Sequence, residues 1–258
     1  MNKLNKIKGI LIDLEGVLYL GDEVVEGAID TIKKINSKNI KIRYLTNTTT
    51  VPKKNIFSKL KNFNIPVQEN EIFSPVIAAK NYLNNRNISN IYLMTNDILK
   101  NDFSEFIIDE KKAKAIIIGD IYKEFNWEKL DKSFQIINNN KALIIALHKN
   151  RYCLRNGKIS LDLGPFVQAL EYATSTEAII MGKPEKNFFD LAINDMQLNN
   201  DQVLMIGDDI ISDIQGSKRN NIFSIQVKTG KYQIKDESDQ YIQPDLRIKS
   251  IKELAIYF

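Results

Sequence analysis

Short apolar runs alternate along this chain with segments whose apolar positions recur at three- and four-residue spacing. Ile7 to Asp13 is an apolar run closed by a carboxylate, the pattern of a buried strand that presents a functional group at its carboxyl end. Ala28, Ile29, Ile32 and Ile35 then repeat at helical spacing, Ile40 to Thr46 predicts a second strand, and Pro52 opens a helix with Ile56, Leu60 and Phe63 on one face. Strands alternating with helices predict an α/β fold with a parallel sheet and right-handed crossovers, in which ligands gather beyond the carboxyl ends of the strands. Asp13 and Thr46 both belong to that rim.

Between Ile88 and Glu177 further strand-like runs occur, Ile91 to Met94, Ala115 to Ile118 and Leu143 to Leu147, separated by helical stretches and without paired carboxylates suited to a metal. This segment predicts a small α/β domain of its own. The main pattern is expected to resume with Ala178 to Met181, then Gly182-Lys183-Pro184, a helix carrying Phe188, Phe189, Ala192 and Met196, the strand Val203 to Ile206 and Gly207-Asp208. Ile222 to Val227 supplies a further strand, followed by the loop Lys228-Thr229-Gly230-Lys231, and a last helix brings Ile251 and Leu254 back to the sheet. The expected organisation is a Rossmann-like core of residues 1–87 and 178–258, with residues 88–177 inserted as a second domain.

Composition narrows the function. Lys and Arg number 36 against 32 Asp and Glu, a net charge of +4 spread along the chain without a basic run or interleaved aromatics, so nucleic acid is not the expected partner. The single cysteine, Cys153, has no internal partner, and neither end carries a charged segment followed by an apolar run and a small-residue cleavage site. These features predict a reducing, cytoplasmic location. No apolar run approaches the roughly 20 residues that span a bilayer, so no membrane partner is expected. Asparagine-rich stretches such as Asn138-Asn139-Asn140 fall at turns between periodic segments and reflect compositional bias, not disorder.

The carboxylates and the lysine on the rim suggest phosphoryl transfer. Phosphate esters resist hydrolysis because their anionic oxygens repel nucleophiles, so catalysis requires positioning and positive charge. Asp13 can serve as a nucleophile, dividing hydrolysis into two steps. Magnesium takes hard oxygen ligands, few of them from protein, and Asp13, Asp208 and the backbone carbonyl of Glu15 would suffice. Thr46 offers a hydroxyl and Asn47 a backbone amide to phosphoryl oxygens, while Lys183 places an ammonium beside them. Asp213, five residues beyond Asp208, could hold Lys183 or a metal-bound water, with Asp209 as the alternative for that role.

Taken together, Asp13-Leu14-Glu15-Gly16-Val17-Leu18, Leu45-Thr46-Asn47, Gly182-Lys183-Pro184 and Gly207-Asp208-Asp209 with Asp213 resemble, in order, the four motifs of the haloacid dehalogenase-like phosphatase superfamily. The insertion between the second and third motifs resembles the C2-type cap of its subclass IIA. Narrower segments, Thr46-Asn47-Thr48-Thr49, Leu161 to Phe166, Gly182 to Lys186 and Val227 to Tyr232, are similar to two sibling groups within that subclass. The resemblance implies a magnesium-dependent phosphatase of small phosphorylated substrates, an aspartyl-phosphate on Asp13, a cap whose opening exchanges substrate and product, and a homodimer. It also implies that the loop with Asp162, ahead of Gly164, selects substrates. The departure is Glu15. Most such phosphatases carry an aspartate there that protonates the leaving group; glutamate keeps the carboxyl but adds a methylene.

Plainer readings apply to several residues. Ile118-Gly119-Asp120 repeats Ile206-Gly207-Asp208, but Phe125 stands five residues on, so Asp120 is read as a turn residue. His148 after an apolar strand is a capping or rim residue, with substrate contact from the cap as its functional reading. Gly164-Pro165 starts a helix. Lys228 and Lys231 are expected to be solvated, Cys153 inert, and Phe188-Phe189 core packing. A different class of function is a phosphate-binding or scaffolding protein descended from an enzyme; a retained nucleophile at Asp13 speaks against it. Dehalogenation is disfavoured because that chemistry has no use for Asp208.

Overall fold

The computed structural model describes residues 4–155 and 158–258. The chain divides into two compact units, one of residues 1–46, 53–73 and 183–258, the other of residues 47–52 and 74–182.

The first unit is built on a six-stranded parallel sheet. Its order across the sheet is Leu246–Ile248, Phe223–Val227, Val203–Gly207, Gly9–Asp13, Lys41–Leu45 and Ile72–Phe73. The chain moves outward from Gly9–Asp13 in one direction and later returns on its other side at Val203–Gly207. Sheet order therefore reverses between these two strands, where an open parallel sheet forms a crevice at its carboxyl edge. Both strands are almost wholly buried, since a strand covered on both faces must be apolar at successive positions and not at alternate ones. Register pairs Gly9 with Val203 and Ile12 with Ile206, so Asp13 and Asp208 leave the sheet at neighbouring points.

Helices Ala28–Asn36 and Lys53–Asn62 supply buried Ile32, Ile35, Ile56 and Leu60 to a core with Ile10, Ile12, Tyr44, Leu204 and Ile225. Helix Lys186–Asp195 buries Phe188 and Phe189 completely, and Phe188 meets Phe73 edge-on at 5.4 Å between ring centroids. These phenylalanines are core, as expected. Ile251 and Leu254 are also fully buried, but on 3₁₀ turns spanning Ile251–Tyr257 in place of the expected α-helix.

The second unit carries a five-stranded parallel sheet in the order Ile179–Ile180, Leu143–Ala146, Ala115–Ile118, Asn90–Met94 and Ile107–Ile108. Helices Trp127–Asn140 and Gly164–Thr174 pack on it through Ile136, Ile137, Val167 and Leu170, and Phe125 stacks on Phe166 with centroids 3.8 Å apart. Helix Pro75–Asn85, with Pro75 in its first turn and Ser74 Oγ accepting from the Ile77 amide, also belongs here. An antiparallel hairpin pairs Tyr152–Arg155 with Lys158–Leu161.

Two features differ from the sequence reading. The strand at Ile179–Ile180 does not resume the first sheet; it forms an edge of the second, pairing with Ile145 and Ala146. The units also divide near residues 73 and 182 rather than 87 and 177, because the Pro75–Asn85 helix and this edge strand both go with the second sheet. Among the described residues no helix is long and apolar enough to cross a membrane.

Candidate active site

The site in the first unit is assembled from strand ends and the turns that follow them. Asp13 closes the central strand, and Lys183 reaches it with Nζ 2.6 Å from Asp13 Oδ1. The same ammonium lies 2.6 Å from Asp213 Oδ1, so one lysine bridges two carboxylates. Asp213 is fully buried and Lys183 is 5% exposed. A charge this deep is tolerated only when paired and hydrogen-bonded. Burial alone would depress the Lys183 pKa, but the charges and hydrogen bonds of Asp13 and Asp213 reverse this and hold it above the ordinary lysine value. Lys183 is an ammonium throughout the working pH range. Burial pushes Asp13 and Asp213 upward against the pull of Lys183.

Asp208 follows Val203–Gly207 and is 1% exposed. Its Oδ2 accepts the Lys231 backbone N–H at 2.6 Å, and its Oδ1 is buried with no hydrogen-bond partner among the described residues. Burial raises its pKa to about 6, opposed by the Lys231 amide. Carboxylate oxygens of Asp13, Asp208 and Asp213 lie within 4.8 Å of one another. Three carboxylates against one ammonium leave an excess of negative charge, and a buried unpaired oxygen costs on the order of 1–3 kcal/mol or more. Hard oxygen donors, excess negative charge and the orphaned Asp208 Oδ1 together fit a divalent cation of the magnesium type.

The turns around these residues are sterically closed. A Cβ on Gly207 would lie 2.3 Å from Asp213 Oδ2, and one on Gly16 would lie 2.0 Å from Asp208 Oδ2. Gly16 also has φ +95°, a conformation that side chains disfavour. Asp209 accepts the amides of Ile211 and Ser212 at 2.9 and 3.0 Å, capping the helical turn Ile210–Gln215 that carries Asp213, and pairs with Lys231 Nζ at 3.1 Å. Asp213, not Asp209, therefore contacts Lys183. The Asp209 amide donates to Asp213 Oδ2 at 3.2 Å.

Glu15 stands apart. Its side chain is exposed, lies outside the carboxylate cluster, and accepts the Gly21 amide at 3.4 Å, beside the two-stranded turn of Tyr19–Leu20 and Glu23–Val24. Its peptide is better fixed: the Gly16 N–H donates to the Tyr19 carbonyl at 2.8 Å, and because the peptide is planar this sets the direction of the Glu15 carbonyl. Thr46 is buried just beyond its strand, its amide on the Phe73 carbonyl at 3.2 Å. Asn47 opens the second unit, where its Oδ1 stands 3.1 Å from the position of a Cβ on Gly182.

In the second unit, His148 is buried with Nε2 3.8 Å from Asp162 Oδ1, and its Nδ1 accepts the Asn150 amide at 3.5 Å. Burial lowers its pKa despite Asp162 and Asp120 nearby. Asp162 also accepts the Leu163 amide at 2.9 Å, and a Cβ at Gly164 would meet the Asn150 carbonyl at 2.5 Å. These three residues thus form one cluster within the unit. The loop after Phe223–Val227 was expected, but not its role: Lys231 has an exposed side chain, as expected, yet its backbone N–H holds Asp208. A backbone donor has no residue signature.

A haloacid dehalogenase-like hydrolase model matches residues 10–108, and a second HAD-hydrolase-like model matches residues 180–254. Haloacid dehalogenase-like hydrolase domain-containing protein 2 of Mus musculus is 35% identical over 95% of this chain and 93% of its own length. The chain belongs to the haloacid dehalogenase-like hydrolase family. Within that family it is similar to the phospholysine phosphohistidine inorganic pyrophosphate phosphatase of Xenopus laevis, 32% identical over 93% of this chain and 90% of that one. The structure of a 4-nitrophenylphosphatase from Thermotoga maritima superposes with a TM-score of 0.86 at 25% identity, covering 98% of each chain. NagD from E. coli shares the fold at 20% identity and a TM-score of 0.84, covering 96% of this chain and 98% of its own. The family fold, a Rossmann-like parallel-sheet core with an inserted α/β cap, matches the two units described above.

Proposed function

We propose that this hydrolase is a magnesium-dependent phosphatase that acts on small phosphorylated substrates through an aspartyl-phosphate on Asp13. The observation that carries the reading is the buried Lys183 ammonium bonded at 2.6 Å to both Asp13 and Asp213, beside the unpartnered Oδ1 of Asp208. The names of the relatives, phosphatases of aryl, phosphoramidate and pyrophosphate bonds, support the same class.

Asp13, Asp208 and the Glu15 carbonyl would hold the cation, with Asp213 keeping Lys183 in place. When bound, magnesium would neutralise phosphoryl oxygens and draw them against the rim. Asp13 acts as nucleophile: one of its carboxylate oxygens forms a bond to phosphorus as the bond to the leaving oxygen or nitrogen breaks. Lys183 supplies fixed positive charge to the transferring group, and Thr46 and Asn47 supply hydrogen-bond donors. Water later attacks the acyl phosphate, releasing phosphate and regenerating Asp13. Glu15 would deliver the proton to the leaving group, but its longer side chain is drawn toward the Gly21 amide. Leaving groups that need little protonation, such as aryl phosphates, are accordingly the better substrates.

The test is steady-state hydrolysis of para-nitrophenyl phosphate, pyrophosphate, a phosphoramidate and alkyl phosphates, with and without magnesium. Turnover is expected to require the metal and to fall by more than about 10³-fold in Asp13→Asn. Unchanged turnover in that variant overturns the mechanism; silence across the panel from folded protein favours the phosphate-binding reading. Glu15→Asp should flatten the dependence of rate on leaving-group pKa, and an identical dependence in both proteins removes Glu15 from proton transfer.

A further inference from the structure

We infer that Thr229-Gly230-Lys231 is a positioning clamp for Asp208, fixing the carboxylate so that one oxygen is spent on the protein and the other is left for a cation. This rests on the cation-binding reading of the Asp13, Asp208 and Asp213 cluster.

Three contacts from three consecutive residues carry it. The Lys231 amide donates to Asp208 Oδ2 at 2.6 Å, a short charge-assisted bond that occupies that oxygen. Gly230 lies at φ +60° directly against the same carboxylate, where a Cβ would stand 2.0 Å from Oδ2 and 2.5 Å from the Gly16 Cα. The Thr229 hydroxyl donates to the Gly16 carbonyl, fastening this loop to the turn that follows Asp13. Gly16 crowds the same oxygen, again 2.0 Å from a would-be Cβ to Oδ2. Asp208 Oδ2 is therefore packed against the backbone of two glycines and bonded to the Lys231 amide, which leaves that oxygen no room to move.

The clamp has a second reach. Lys231 Nζ pairs with Asp209 at 3.1 Å, and Asp209 caps the turn bearing Asp213. Thr229 holds the carbonyl of Gly16, whose own N–H fixes the Glu15 peptide on Tyr19. One tripeptide thus orders the Asp208 carboxylate and braces the peptide whose carbonyl is the candidate third ligand. Groups that orient metal ligands from behind typically contribute about 10–100-fold in metal affinity. None of this is available to a bare loop that merely ends a strand.

The experiment is titration of the full-length protein with Mn²⁺, reading free ion by its electron paramagnetic resonance signal, with folding checked by circular dichroism. Thr229→Val should weaken Mn²⁺ binding about 10-fold, and Thr229→Ser, which restores the hydroxyl, should return it to within about threefold of wild type. Gly230→Ala should weaken it by about 100-fold; since that variant is strained, the Thr229 pair decides the matter if it fails to fold. Wild-type affinity in Thr229→Val, or equal losses in Thr229→Val and folded Thr229→Ser, overturns the clamp. Asp208→Asn separates the two ideas: if it binds Mn²⁺ as wild type does, the cation-site reading itself fails, whereas its loss beside an unaffected Thr229→Val removes only the clamp.

Discussion

Each of the two sheets has a strand that ends in Ile-Gly-Asp, and the two aspartates have opposite fates. Asp120, after Ala115–Ile118, turns Oδ1 back onto the Tyr122 amide at 2.9 Å and gives Oδ2 to Arg155 at 2.5 Å. Asp208, after Val203–Gly207, also spends one oxygen on a backbone amide, but its second oxygen is buried with no partner among the described residues. The difference lies in where the countercharge was committed. Arg155 pairs with Asp120 directly, whereas Lys183 holds Asp13 and Asp213 at 2.6 Å and donates no hydrogen bond to Asp208 Oδ1. The neighbouring glycines agree: a Cβ on Gly119 would meet only the side chains of Leu147 and Thr95 at 3.2 Å, while one on Gly207 would collide with Asp213 at 2.3 Å. A strand-end aspartate becomes a metal-site candidate when its surroundings leave it unsatisfied.

The sharpest way to break this contrast is to neutralise each aspartate. Asp208→Asn should cut phosphatase turnover by more than about 10³-fold at any attainable magnesium concentration, while Asp120→Asn stays within about threefold of wild type. A comparable loss in both would mean that the two turns are not functionally distinct. Next in size is stability. Asp213→Ala removes one of the two carboxylates bonded to the buried Lys183 ammonium and should cost about 3–5 kcal/mol in urea unfolding, measured in the presence of EDTA. Asp120→Ala should cost less, about 1–3 kcal/mol, because Arg155 keeps Asp162 at 3.7 Å. Equal costs would remove the distinction between a lysine shared by two carboxylates and an arginine with a second carboxylate close by.

The smallest expected effect concerns pH in the second unit. His148 has a pKa lowered by burial, so it stays neutral in the fold while the unfolded chain takes up a proton below about pH 6.5. Its contribution is complete above that value and declines as pH falls toward the folded pKa. Unfolding free energies at about pH 7.5 and about pH 5.5 should therefore differ less in His148→Gln than in wild type. A larger difference in the variant would reverse the sign and place a charged histidine in the fold, facing Asp162, Asp120 and Arg155.

How much of this could be read from the chain depended on whether a function was written in side chains or in backbone. Asp13, Lys183, Asp208 and Asp213 were legible because each sits at or just beyond a recognisable apolar segment, and their spacing constrains one another. Phe125, five residues after Asp120, was enough to set the two Ile-Gly-Asp turns apart. Strands Ile72–Phe73 and Leu246–Ile248 were not legible, because two or three residues carry no period. Ile179–Ile180 was visible as apolar, but nothing in two isoleucines says which sheet they join. The antiparallel hairpin ending at Leu161 escaped for a related reason: Ile159 and Leu161 are largely exposed, so no inside face announces the strand. The Lys231 amide was invisible altogether, since any residue but proline could supply it.

The two glycines against Asp208 also act as a ruler. With Gly16 and Gly230 both packed against Oδ2, and the Lys231 amide on the same oxygen, a longer acid at position 208 would press its carboxylate into backbone. Glu15 occupies the opposite situation, an exposed side chain extending past the cluster toward Gly21. The choice between aspartate and glutamate at these two acidic positions is thus a record of local room: the shorter acid stands where the walls are backbone, and the longer one where its end reaches open solvent.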